Sequence, residues 1–126
     1  MKISFTEREL DVMTVLWSRG SATVSEVQAS LYDRLAYTTV LTVLRTLEGK
    51  GYVSHKGEGR AHRFTPKVKR EDAGTSTLRR ILTTVFGGSP ELLLTNLVND
   101  QNLSPQEIRQ LRELLDEHPA AKRRSR

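Results

Sequence analysis

Cysteine is missing altogether from this 126-residue chain, which excludes disulfides, thiolate metal sites and thiol redox switches. No run of about 18 apolar residues occurs and no secretory apolar core opens the chain, so neither a membrane span nor an export signal is expected. The expectation is a soluble, cytoplasmic protein with no direct membrane binding. Catalytic signatures are equally scarce. His55, His62 and His118 form no His-Glu-x-x-His arrangement, and there is neither a Gly-x-Ser-x-Gly elbow nor a Walker loop. Gly57-Glu58-Gly59 lacks the third glycine and the strand-to-helix context of a dinucleotide loop. His55 and His62, set opposite each other across a hairpin, are still one or two ligands short of a usual zinc site. Glu7, Glu9 and Asp11 crowd a helix start, where acids favour the dipole rather than acid-base chemistry. No enzyme activity, metal or cofactor is expected.

What the chain does have is an uneven positive charge. Residues 1–70 carry 12 Lys/Arg against 7 Asp/Glu, whereas residues 71–126 carry 8 of each. The length suits one compact domain with an accessory segment, and the positive field belongs to the domain.

Within that half, Val40, Val43, Leu44 and Leu47 recur at helical spacing and form one apolar stripe. Thr38, Leu41, Thr42, Arg45 and Glu48 are left for the outer face. Arginine can bond guanine O6 and N7 together, and threonine offers a hydroxyl and a methyl, so this face suits a major groove. A half-buried helix with solvated threonines has the same pattern. Tyr37 and Thr39 lie near the helix start, where backbone N–H groups attract phosphate, and Gly49 and Gly51 end the helix. Next come two strand-like segments, residues 52–56 and 60–65, joined through Gly57-Glu58-Gly59 and closed by Pro66. Lys56, Arg60 and Arg63 cluster around that tip, within reach of a phosphate backbone, although exposed hairpins also carry such residues as solvated edges.

Upstream, Thr6-Glu7-Arg8-Glu9 is a capping box with Phe5 and Leu10 as its staple, and Thr23-Val24-Ser25-Glu26 is a second box. The first predicted helix buries Leu10, Met13, Leu16 and Trp17 and stops at Gly20. The second turns Val27, Leu31 and Leu35 inward. Helix, helix, turn, helix and hairpin in this order predict a winged helix-turn-helix.

After Pro66, the charged stretch Lys67 to Asp72 reads as a boundary. Leu78, Ile81, Leu82, Val85 and Phe86 recur with helical spacing from about residue 77 to the Gly87-Gly88 break. Ser89-Pro90 opens a helix with Leu92, Leu93, Leu94, Leu97 and Val98, and Ser104-Pro105-Gln106-Glu107 opens another with Ile108, Leu111, Leu114 and Leu115. Helices this short and leucine-rich cannot bury their apolar faces alone. They fold back on the winged helix, or they pair with an identical chain. The dimer is favoured because its two-fold axis can set two reading helices one turn of duplex apart on a palindrome. The expected organisation is therefore mainly α with a small β-hairpin wing: a winged helix-turn-helix over residues 1–70, a helical dimerisation region over 71–118, and a basic, disordered tail over 119–126.

Four segments together resemble the penicillinase-repressor family, also called BlaI/MecI. They are Thr6-Glu7-Arg8-Glu9 ahead of Leu10 and Trp17, Tyr37 to Leu44, Gly59 to Pro66, and Asn99-Asp100-Gln101-Asn102-Leu103-Ser104. The resemblance spans roughly residues 5–118. It implies a homodimeric repressor on a palindromic operator of double-stranded DNA, in systems that control antibiotic resistance. It also implies further partners, a membrane sensor or a downstream protease, and release by cleavage in the dimerisation region. The matching bond is Asn96-Leu97, with leucine where the family has an aromatic residue. The family's copper-responsive branch binds metal through C-terminal cysteines, and this chain has none.

Two other readings use the same elements: a winged helix that docks a protein partner, which Leu41 favours, and a ligand-sensing winged-helix regulator of another family. For DNA, the groove candidates are Thr38, Thr39, Thr42 and Arg45, and the backbone candidates are Tyr37, Lys56, Arg60 and Arg63.

Overall fold

The computed structural model describes the backbone of residues 3–124 and the side chains of residues 3–121. Helix α1 (Glu7–Arg19) starts at the predicted box: Thr6 Oγ1 accepts the Glu9 N–H at 3.1 Å, and Glu9 Oε1 accepts the Thr6 N–H at 2.8 Å. Gly20 ends it with φ at 84°, a conformation that glycine adopts without a Cβ penalty. A two-residue strand, β1 (Ala22–Thr23), leads straight into α2 (Val24–Ser30), whose N-cap is Thr23 itself. Helix α3 (Tyr37–Gly49) follows, and then the hairpin of β2 (Val53–Glu58) and β3 (Ala61–Pro66). The three strands form one antiparallel sheet in the order β1-β3-β2.

Phe64, on the central strand, is 1% exposed and packs into a core supplied by Val12, Met13 and Leu16 of α1, Val24 and Val27 of α2, and Val40, Leu44 and Leu47 of α3. Each such side chain, fully buried, contributes about 1.5–3 kcal/mol of transfer free energy. The chain entering α1 is fastened by aromatic contacts: Phe5 meets Trp17 edge-on at 6.1 Å and lies 4.9 Å from Tyr52. Trp17 Nε1 donates to the Val68 carbonyl at 2.8 Å.

Several details differ from expectation. The strand β1 had no sequence signal, because two residues become a strand only by pairing with β3. The hairpin turn is Gly59-Arg60, with Gly59 at φ 61° in its first position, so Gly57 and Glu58 belong to β2. Leu31 and Leu35 reach the core from the connection after α2, which ends at Ser30. Leu41, assigned to the outer face of α3, is half-buried against the core beside Val40 and Leu44. The charged stretch read as a boundary runs into α4 (Arg70–Thr84), which begins seven residues earlier than residue 77.

The chain forms two compact units, Met1–Arg80 and Ile81–Arg126. The first part of α4 belongs to the winged-helix unit: Ala73 is buried, Ser76 Oγ donates to the Ile3 carbonyl at 2.7 Å, and Arg80 reaches Ser4 Oγ at 3.1 Å. The second unit holds α5 (Pro90–Gln101) and α6 (Pro105–Glu117), capped by Ser89 and Ser104 as their sequences predict. Neither helix has a buried residue. The tail expected to lack order starts with a short helix, α7 (Pro119–Arg124). Proline suits a first turn, alanine and the basic residues are good helix formers, and the Ala120 N–H donates to His118 Nδ1 at 3.0 Å. Arg126 of that tail lies outside the described residues.

Candidate nucleic-acid interface

The outer face of α3 carries Thr38, Thr42 and Arg45 at i, i+4 and i+7, so they form one exposed stripe, with Thr39 exposed beside it. Tyr37, at the helix start, is 46% exposed. The hydroxyl of Thr42 donates to the Thr38 carbonyl at 2.9 Å, and that of Thr46 to the Thr42 carbonyl at 2.9 Å. Their protons are thereby committed, and Thr42 faces outward as an acceptor and a methyl. Arg45 makes no hydrogen bond or ion pair among the described residues. Ala36 is the N-cap and gives no side-chain hydrogen bond; the first N–H accepted within the helix is that of Val40, by the Ala36 carbonyl at 3.1 Å. The N–H groups of Tyr37, Thr38 and Thr39 are left for an outside acceptor.

Strand alternation divides the wing between two faces. Lys56, Glu58 and Arg63 share one, since Lys56 pairs with Arg63 and Glu58 with Ala61. Arg63 is held there by acids. Its Nε and Nη2 each lie 3.1 Å from a Glu58 oxygen, and its Nη1 lies 3.2 Å from Glu26 Oε1 and 3.3 Å from Ser21 Oγ. Arg19 adds a second cation at 3.3 Å from Glu26. The Glu58 hydrogen bonds, with help from the Glu26 charge, raise the guanidinium pKa. The Thr23 N–H, followed by Arg63 and Arg19, holds the Glu26 carboxyl below its ordinary range. By contrast, Lys56 and Arg60 make no ion pair among the described residues and are exposed.

The other face carries His55, His62 and Phe64. His55 and His62 are not opposite each other, because His55 pairs with Phe64 and His62 with Gly57. They meet diagonally instead, as stacked rings 4.7 Å apart. His55 Nδ1 lies 2.6 Å from Glu48 Oε2, linking β2 to α3. No group of three or more metal-ligating side chains is assembled among the described residues.

A further tie fixes the far end of α3. Glu9, 4% exposed, takes the Lys50 ammonium at 2.8 Å on the oxygen that also accepts the Thr6 N–H. The box predicted for α1 is thus joined to the C-cap of α3.

The structure brings Tyr37, Thr38, Thr39, Thr42 and Arg45 together on one helix, with Lys56 and Arg60 on the adjoining hairpin. Arg63 lies on the same hairpin and is held in ion pairs with Glu58 and Glu26. Sequence reasoning missed Glu26 and Glu58 as its holders. A turn placed one step later would have revealed Glu58, which then joins the strand face of Lys56 and Arg63, whereas Glu26 comes near only through the pairing of β1 with β3.

In the chain's other half, Leu78, Ile81, Val85, Leu94, Leu97, Ile108, Leu114 and Leu115 are exposed, Val85 at 68% and Leu114 at 69%. Leu82, Phe86, Leu93 and Leu111 are half-buried. Asn96 and Leu97 are exposed in the middle of α5. Among the described residues no helix is long and apolar enough to cross a membrane.

Known proteins agree with this geometry. The profile of the penicillinase repressor family matches residues 5–117. The penicillinase repressor of Bacillus licheniformis is 29% identical over 120 residues, covering 94% of each chain. The transcriptional regulator BlaI of Mycobacterium tuberculosis is 45% identical over 67 residues, 51% of this chain and 49% of that one. The solution structure of the DNA-binding domain of the repressor BlaI is 33% identical, with a TM-score of 0.51, over 57% of this chain and 93% of that domain. With its winged helix and exposed Thr/Arg helix face, the chain belongs to the penicillinase repressor family of DNA-binding transcriptional repressors, which are not enzymes.

Proposed function

We propose that this repressor works in the cytoplasm as a homodimer on a palindromic operator, each protomer placing α3 in a major groove and its wing against the flanking backbone. One observation carries the DNA part: a stripe of Thr38, Thr42 and Arg45 faces outward, next to Lys56 and Arg60, whose charges no acid neutralises among the described residues. Arg45 reads a base edge, Thr42 offers an acceptor or its methyl, and the open N–H groups of α3 take a phosphate. Tyr37, Lys56 and Arg60 hold the register on the backbone.

The dimer part is supported by the apolar side chains of α4, α5 and α6 that the single chain leaves in water. A second copy offers the same surface and buries it symmetrically. Two linked half-sites then bind with an effective concentration that neither has alone.

Inactivation by cutting between Asn96 and Leu97 belongs to the same reading. A regular helical bond must open before a protease can hold it extended, and within the single chain α5 has no buried side chain, so the packing between protomers is what resists that opening. The cut would part α6 from the rest of the chain and remove avidity without touching a DNA contact. Intact-mass analysis of the chain from induced cells tests it: a fragment ending at Asn96 is expected, and an uncut chain that nevertheless releases DNA would refute it. A β-lactamase gene is the target implied by the relatives' names.

The deciding experiment is selection of the purified chain on random duplex DNA at two salt concentrations. A palindrome with half-sites about one helical turn apart is expected. Partner affinity independent of salt, with no sequence selected, would point to protein docking and overturn the proposal.

A further inference from the structure

We infer that Arg63 is a positioning residue: clamped between Glu58 at the wing tip and Glu26 at the start of α2, it sets the angle of the wing, while Lys56 and Arg60 supply the wing charge that meets the DNA backbone. The inference rests on the reading of α3 and the wing as a DNA-binding surface and deepens it.

Three observations lead there. The Glu58 carboxylate takes Arg63 in a two-point contact, Nε and Nη2 each at 3.1 Å, a planar arrangement that fixes direction as well as distance. The second clamp, Glu26, is itself immobilised, because one of its oxygens accepts the Thr23 N–H at 2.9 Å in the capping box of α2. Thr23 pairs with Arg63 across the sheet, so the guanidinium, the strand and the helix start form a closed circuit. The charges also balance: Arg63 and Arg19 face Glu26 and Glu58. A phosphate drawing Arg63 away would leave Glu58 unpaired, and Glu26 with Arg19 alone, beside a polyanion. The neutralised Arg63 also explains how Lys56 can sit directly across the ladder from it, a place where two free cations would repel.

The clamp makes an unusual demand on Glu58. Removing a negative charge from a DNA-facing hairpin ordinarily tightens binding. Here Glu58→Gln is expected to weaken operator binding about fivefold, the scale of one exposed ion pair broken in each wing. The ratio of operator to random-duplex affinity should fall with it, which a loss of stability alone would not produce. Glu58 is exposed, so this substitution leaves the fold intact.

Fluorescence anisotropy on the selected operator across a salt series, with the full chain, gives the test. Arg63→Ala is expected to weaken binding while leaving the slope of log affinity against log salt unchanged. Lys56→Ala should flatten that slope by about 0.9 for each phosphate the lysine neutralises. The double variant Glu58→Gln/Arg63→Ala should bind no worse than Arg63→Ala, since both break one clamp. Tighter binding by Glu58→Gln, or a slope flattened by Arg63→Ala as by Lys56→Ala, would overturn the inference and make Arg63 a phosphate contact. A wild-type chain that selects no duplex at all would instead sink the DNA reading itself, and the inference with it.

Discussion

Replacing Lys50 with methionine removes the partner of a buried carboxylate while keeping most of the aliphatic stem. Glu9 is almost wholly buried, and the oxygen that accepts Lys50 at 2.8 Å also accepts the Thr6 N–H at 2.8 Å. Burial alone would push its pKa up, but the Lys50 hydrogen bond, the Thr6 N–H and the Lys50 charge outweigh that and hold the carboxyl below its ordinary value. A group with a depressed folded pKa stabilises the fold above its unfolded pKa, and the contribution is lost as pH falls through the folded value. Breaking a buried pair from one side costs about 3–5 kcal/mol. Lys50 is 38% exposed, so water reaches its position, and a discounted loss of about 2 kcal/mol is expected near neutral pH. Urea unfolding of both chains at neutral and acidic pH measures it. The difference should shrink as pH drops through the carboxylate range, because a protonated Glu9 no longer needs the ammonium. Glu9→Gln in the Lys50→Met background should recover much of the loss. A difference that stays constant with pH, or one under about 0.5 kcal/mol at neutrality, would refute the view that this pair anchors α3 to α1.

Arg45→Ala should weaken operator binding by about 1–3 kcal/mol and relax preference at one base position, read out by repeating the selection with the variant; uniform weakening on every sequence would make Arg45 a phosphate contact instead. If the proposed dimer buries Leu114, Leu114→Asp should raise the dimer dissociation constant about a hundredfold or more, because symmetry takes one leucine out of the shared face of each protomer, and sedimentation should show monomers at concentrations where the parent chain pairs. Phe64→Ala empties the middle of the central strand and should cost about 3–5 kcal/mol in denaturant unfolding.

The helix starts were legible because their chemistry is local. Thr6 with Glu9, Thr23 with Glu26 and Ser104 with Glu107 are reciprocal bonds within four residues, and each formed where its letters stood. The stripe Val40, Leu44 and Leu47 was equally readable, since periodicity alone settles which face of α3 is buried. What escaped depends on distant pairing. The strand β1 exists through β3, some forty residues later, and no window around Ala22 contains that information. Moving the turn to Gly59-Arg60 changed which residues share a face: it separated His55 from His62 as direct partners and put Glu58 beside Arg63. Lys50 stands at the C-terminal end of α3, where any cation suits the helix dipole, and nothing local points to its partner, Glu9, 41 positions away. Charge in the stretch from Lys67 to Asp72 suggested a boundary, yet acids in a first turn equally suit the start of α4.

Thr23 ends the strand β1 and caps α2 in the same residue, so the sheet and that helix are joined without slack. One extra residue inserted between Thr23 and Val24 would turn the whole of α2 by about 100° against the strand, carrying Val24 and Val27 out of the core. The connection from α2 to α3 tolerates more, since Tyr32, Asp33 and Arg34 are all exposed there. Length variation among related chains should therefore gather after α2 and avoid its start, and the spacing from Ala22 to Val27 becomes a ruler by which a distant relative can be told from a chance helical match.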